Sequence, residues 1–264
     1  MSDEIPRAGT RTRVAALYDI HGNLPALDAV LSELDVFDPD LIVIGRDIAL
    51  GPMPGEALDR LSGLDRDLLW LQGNADRELV RRFHAGPAST ARGSRELCQS
   101  LSAWAAGRLS LQHRDLLAQL PPTLSVDIER LGPVLFCHGS PRSDEEMITA
   151  ISSEERLQDI LRDVEQPVMV CGHTHHQFDR RAAGKRIVNA GSIGMPYEGV
   201  SGVACWALLG PDVELRQTPY DFVEACDGIR HSGFAAADEL IAYLASPPSA
   251  REVANLFESA ASEA

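Results

Sequence analysis

Basic residues are scarce in this sequence: 24 Lys and Arg stand against 39 Asp and Glu, a formal net charge of −15 over 264 residues. A chain this acidic has no general surface for neutralising nucleic-acid phosphates and no basic face for an anionic membrane. A phosphate can still be held locally where cations supply the positive charge. Long apolar runs are missing too. None approaches the ~20 residues of a membrane span, and the opening MSDEIPRAGTRTR lacks the apolar stretch of a secretory leader. The five cysteines, at 98, 137, 171, 205 and 226, are odd in number and without framework spacing, which argues against a disulfide scaffold. Cys137, Cys171 and Cys205 sit inside apolar runs and are expected to pack as small core residues in a reducing cytoplasm. No cysteine is spaced as a ligand. Internal repeats, low-complexity tracts and long linkers are absent.

With 44% hydrophobic and 24% charged residues, the composition is that of a soluble globular chain with one sizeable core. VAALY (14–18), LIVIG (41–45) and DLLWLQG (67–73) read as buried strands. NLPALDAVLSEL (23–34) and GEALDRLSGL (55–64) lie between them with apolar residues at helical spacing. Asn23 is placed to cap the first helix and Pro25 to occupy its first turn. This alternation predicts crossover units and a largely parallel sheet. Residues 76–119 read as a helical insert, ended by Pro121-Pro122. TLSVDIE, PVLFCHG and VMVCG follow as strands, with the helix SEERLQDILRDV before the last. QFDRR, KRIVNAG, GVACWALL and VELRQTPY then suggest an antiparallel meander. The expected organisation is a polar tail (1–12), one α/β domain (13–220) and a helical extension (221–264) packed on it. The extension carries 2 basic against 8 acidic side chains.

Five strands run into polar clusters: Asp19-Ile20-His21-Gly22-Asn23, Arg46-Asp47, Gly73-Asn74-Ala75-Asp76, His138-Gly139 and Gly172-His173-Thr174-His175. Each has a plain reading as a cap, a turn residue or a solvated strand end. Together they place Asp, His, Asp, Asn, His, His and His at the carboxyl ends of strands, where open α/β sheets bind ligands. In extended chain His173 and His175 project to one face. Mixed imidazole, carboxylate and amide donors suit first-row transition ions. The chemistry favoured by such a set is two-metal hydrolysis, with Asp47 the candidate bridge and phosphate esters the matching substrates.

The ordered motifs DIHGN (19–23), GRDIALGP (45–52), GNAD (73–76), HGSP (138–141) and GHTHH (172–176) closely resemble the calcineurin-like metallophosphoesterase superfamily, above all its small bacterial and archaeal phosphodiesterases. The resemblance runs from about residue 13 to Tyr220 and takes in NAGSIGMP (189–196). It implies a four-layer α/β/β/α sandwich of two mixed sheets flanked by helices, and a dinuclear centre. Asp19, His21 and His175 would hold one ion, Asn74, His138 and His173 the other, and Asp47 would bridge. Manganese is the first choice, with iron and zinc as alternatives. The implied activity is hydrolysis of a small phosphoester, a nucleotide among the options, by a metal-bridging hydroxide. Asn74 and His138 would act at the reacting phosphate. Asp76 would either orient His138 or simply cap a helix. No oligomeric state is implied.

Three positions depart from the family pattern. Tyr18 and Arg46 replace small residues and are expected to narrow or weaken the site. Ala75 stands where many relatives have a histidine that protonates the leaving group. The alternative reading is therefore an interaction module on the same fold with a crippled centre. Arg77 and Arg142 are near enough in sequence to reach a phosphate, but surface solvation is their default. His84, His113 and His176 have no motif support as ligands.

Overall fold

The computed structural model describes residues 7–45, 47–83 and 101–262. Its strands are β1 (Arg7–Arg11), β2 (Val14–Leu17), β3 (Leu41–Ile44), β4 (Leu68–Trp70), β5 (Leu124–Ile128), β6 (Gly132–Phe136), β7 (Val168–Cys171), β8 (Phe178–Ala182), β9 (Lys185–Asn189), β10 (Val203–Leu209) and β11 (Val213–Pro219). The helices are α1 (Leu24–Phe37), α2 (Pro54–Ser62), α3 (Asn74–Arg82), α4 (Leu111–Ala118), α5 (Glu154–Ile160), α6 (Phe222–His231), α7 (Ala237–Ala245) and α8 (Ala250–Ser262). Residues 101–106 are also helical.

A strand buried on both faces needs an apolar residue at every position, because successive side chains point to opposite sides. β2 and β3 meet that condition. Val14, Ala16, Leu41 and Val43 enter one apolar cluster, while Ala15, Leu17, Ile42 and Ile44 enter another. Two mixed sheets result, ordered β11-β10-β2-β3-β4 and β1-β5-β6-β7-β9-β8. In the first, β2, β3 and β4 are parallel, and β10 joins β2 antiparallel. In the second, β6, β7 and β9 are parallel. The inner cluster, with Val126, Phe136, Val170 and Val188, lies between the sheets. Leu27, Val30, Leu58 and Leu61 of α1 and α2 cover the outer face of the first sheet. Leu157 and Ile160 of α5 cover Leu135, Met169 and Ile187 on the second. This is the expected four-layer sandwich.

Asn23 caps α1 through a bond from the Ala26 amide, with Pro25 in the first turn. Two expectations change. Residues 7–11, read as part of a polar tail, form an edge strand parallel to β5. The four strands read as one meander split into two hairpins, β8-β9 in one sheet and β10-β11 in the other. A hairpin needs only local pairing, and either sheet edge satisfies it. The helical insert is described at its two ends, and its residues 84–100, with His84 and Cys98, lie outside the described residues, as does Arg46. Cys137, Cys171, Cys205 and Cys226 are buried. Among the described residues no helix is long and apolar enough to cross a membrane.

Candidate metal centre

Each of the seven motif side chains lies just beyond a strand. Asp19 and His21 follow β2, Asp47 follows β3, Asn74 opens α3 after β4, His138 follows β6, and His173 and His175 follow β7. The backbone turns sharply at these points. Asp19, His21, Asp47, His173 and His175 have φ of 51°, 47°, 49°, 66° and 56°. The left-handed region costs a side-chain-bearing residue about 1–2 kcal/mol. Among the described residues eight non-glycine positions adopt it, and five of them are in this set. Strain concentrated on chemically active residues marks a functional site.

Two groups form. Asp19, His21 and His175 bring ligand atoms within 4.8 Å of one another, and so do Asp47, His138 and His173. In the first group His21 Nε2 lies 3.2 Å from His175 Nε2. In the second, His138 Nε2 lies 3.1 Å from His173 Nδ1, 3.3 Å from Asp47 Oδ2 and 2.9 Å from Asn74 Oδ1. Asn74 thus lies beside the second group. Asp19 Oδ1 stands between the groups, 3.6 Å from His175 Nε2 and 3.8 Å from His138 Nδ1.

The hydrogen bonds behind the histidines fix which nitrogen faces inward. His21 Nδ1 donates to Leu50 O at 2.9 Å, and His175 Nδ1 donates to Met195 O at 3.0 Å. A carbonyl only accepts, so both Nε2 atoms carry bare lone pairs in the neutral rings. Burial keeps both rings neutral by pushing their pKa down. Burial and the neighbouring His138 lower His173 to about 4, and its ring also bonds the Glu145 backbone. Two lone pairs facing each other at 3.2 Å repel unless a cation lies between them. Asp19 points the same way. Its Oδ1 is buried with no hydrogen-bond partner among the described residues, and burial, reinforced by Asp47, raises its pKa to about 8. Asp47, also buried, is held low by His138, His21 and His173. Neutral imidazoles, two buried carboxylates and an amide oxygen fit divalent transition ions.

Several supporting residues had no role assigned from the sequence. The carbonyls of Leu50 and Met195 set the tautomers, a role that a side-chain pattern cannot reveal. Asn189 donates to Gly172 O and Thr174 Oγ1, tying down the loop that carries His173 and His175. Ser192 Oγ donates to Asp19 O. Tyr197 lays its ring 4.8 Å from that of His175. Asn189 and Ser192 fall within the NAGSIGMP stretch that fitted the family without an assigned role.

Asp76 accepts from the amides of Asp47 at 2.9 Å, Ile48 at 3.1 Å and Gly73 at 3.3 Å. It caps α3 and braces the turn that presents Asp47. Tyr18 does not crowd the two groups. Its ring belongs to the inter-sheet cluster, with the hydroxyl 3.3 Å from Val170 O. Arg77 pairs with Asp144 and Glu145, and Arg142 with Glu146 and Asp159, as surface arginines do. His113 pairs with Asp59, and His176 bonds backbone groups of Thr174 and Ala150.

Solved structures share the fold. A metallophosphoesterase from Sphaerobacter thermophilus is 25% identical, with a TM-score of 0.69 over 89% of this chain and 99% of its own. A hypothetical protein from Pyrococcus horikoshii OT3 is 23% identical, with a TM-score of 0.76 over 89% and 98%. No curated protein matches the chain. The family model described as the calcineurin-like phosphoesterase superfamily domain matches residues 13–209, a span that holds all seven side chains of the centre, and the chain belongs to that superfamily.

Proposed function

We propose that this protein hydrolyses small phosphate esters with the help of two cations. Asp19, His21 and His175 would hold one, and Asn74, His138 and His173 the other, with Asp47 between them. The observation that carries this reading is the pair of largely buried groups, each with its ligand atoms within 4.8 Å, assembled from strand ends of both sheets. When bound, the cations would supply charge to offset the phosphoryl oxygens and acidity to activate water. The chain contributes rigidity. Leu50 O and Met195 O hold two imidazoles in one tautomer, so no proton must leave Nε2 before a cation is taken. The Ala75 amide donates to Asp47 Oδ1 at 3.0 Å, leaving Oδ2 turned toward the second group. Asp76 acts one step back by bonding the amide of Asp47.

All seven donors are present, which supports an enzyme over an interaction module. Diesters are the preferred substrates and manganese the preferred metal. The purified protein, loaded with manganese, is expected to bind two ions per chain and to cleave bis(p-nitrophenyl) phosphate, and Asp47→Asn to abolish that cleavage. Fewer than one ion per chain, or activity that survives Asp47→Asn, overturns the proposal.

Ala75 has a consequence for the leaving group. It is buried and offers only its amide, to Asp47. A missing general acid costs about 10²–10⁴-fold where the leaving group is poor. The rate on alkyl esters should fall below that on aryl esters by a factor in this range. Equal rates, with chemistry shown to be limiting, would refute it.

A further inference from the structure

Beside the first group, on the side of His21, lies a cavity of about 280 Å³ that the proposed chemistry does not use. Its walls include His21, Leu50, Met195, Phe234, Leu240 and Tyr243, with the exposed Glu239 also on its lining. Among the described residues no lysine or arginine lines it. We infer that this cavity is the subsite for a neutral, planar aromatic group, an aryl ring or nucleobase, esterified to the phosphate that the metal centre holds. The inference rests on the proposed function and deepens it by naming the substrate class.

Continuity with the centre is the first argument. His21 belongs to both, and the two residues whose carbonyls orient His21 and His175, Leu50 and Met195, line the cavity themselves. A phosphate at the centre therefore has its ester group at the mouth of this cavity. Size is the second. A cavity of about 150 Å³ lined by aliphatic and aromatic side chains accepts benzene, so this one has room for a bicyclic ring. The third is the chemistry of the walls. Phenylalanine, tyrosine and methionine side chains give edge, face and thioether contacts to an aromatic ring. Both aromatic walls are fixed from behind. Phe234 stands edge-on to Trp104 with centroids 5.0 Å apart, and Tyr243 stands edge-on to Tyr197 at 5.4 Å. Tyr197 in turn lies against His175, so the wall and the centre form one packed unit. With no cation among the described lining residues and the Glu239 carboxylate at its edge, the cavity disfavours a second phosphate or a carboxylate.

The test uses the manganese-loaded full chain and two inhibitors, methylphosphonate and 2-naphthylmethylphosphonate. The naphthyl compound should inhibit at least tenfold more tightly. Leu240→Trp, which fills the cavity, should bring the ratio of the two inhibition constants close to one. Should that variant fail to fold, Tyr243→Leu removes the ring while keeping most of the volume and should lower the ratio several-fold. A second readout needs no turnover. In metal-free full chain carrying ¹³C-methyl methionine, the Met195 resonance, assigned with Met195→Leu, should move with 2-naphthol and with the naphthyl compound but not with methylphosphonate. A Met195 signal that stays still, or a ratio that the substitutions leave unchanged, overturns the inference. A protein inactive on every phosphoester overturns the proposed function instead, while the methionine signal still decides the cavity.

Discussion

Tyr18 and Gly45 are a matched pair. A β-carbon on Gly45 would collide with the Tyr18 ring, and one on Gly172 would lie 2.5 Å from both that ring and Asp19 Oδ2. The large residue at 18 is tolerated because β3 and β7 run into glycine where the ring passes. Gly45→Ala should destabilise the protein by about 1–3 kcal/mol through overpacking. Tyr18→Ala should cost about 3–5 kcal/mol through the cavity left behind. In the double variant the Gly45 substitution should cost almost nothing, a coupling in the range of about 0.5–3 kcal/mol. Urea unfolding of the four proteins measures it, and additive costs would show that the ring is not what excludes the methyl group. The seven donors were legible in the sequence because their chemistry resides in side chains at strand ends. Tyr18 was misjudged because its direction depends on the sheet opposite. Leu50 and Met195 were silent because they act through backbone carbonyls, and Tyr197 because a ring that packs on a ligand looks like any core aromatic.

At the scale of elements, one acid ties α8 to the start of α5 and the loop before it. Glu258 accepts from Thr149 Oγ1 at 2.7 Å and Ser152 Oγ at 2.5 Å, and pairs with Arg156 Nη1 at 3.1 Å. Glu258→Ala should destabilise the protein by about 1–3 kcal/mol, since it leaves partly buried donors without their acceptor. Partial burial favours the neutral acid, but the bonds from Ser152, Thr149 and Arg156 outweigh it and hold the carboxyl below its ordinary range. A depressed folded pKa means that the unfolded chain binds the proton first, so this stability is complete above the ordinary glutamate value of about 4.3 and is lost as pH falls through the folded one. His176 faces Glu258 and is itself held low by burial, so its loss of stability on acidification has the same sign. The gap in urea midpoint between the parent and Glu258→Gln should narrow as pH falls below about 4.3. A gap that does not change with pH would remove Glu258 as the pin. Elements were legible where apolar residues recur at a fixed period. β1 escaped because RAGTR lacks an apolar face, and edge pairing with β5, helped by Arg11 on Asp40 and Asp67, orders it. The division of the last four strands between sheets escaped because strand pattern reports burial and not which edge a hairpin joins.

Across the whole molecule, the candidate centre draws its side chains from the strand ends of both sheets. The first group takes Asp19 and His21 from the strand ends of one sheet and His175 from the other. The second takes Asp47 and Asn74 from the first sheet and His138 and His173 from the second. A ligand that binds only the folded state stabilises it by RT ln(1 + [L]/Kd), about 2.7 kcal/mol at a hundredfold excess over Kd. If cations bind at the proposed centre, chelation should lower the melting temperature, and added manganese should restore it in a concentration-dependent way. Because the donors come from both sheets, hydrogen exchange should show residues 47–48 and 172–176 losing protection together, while α8 and its Glu258 contacts keep theirs. Asp47→Asn should abolish most of the manganese effect without opening the inter-sheet core, since that residue lies outside the inner apolar cluster. A melting temperature indifferent to chelator and manganese would mean that no cation spans the two sheets. Loss of protection at only one of the two turns would place the ion on a single sheet.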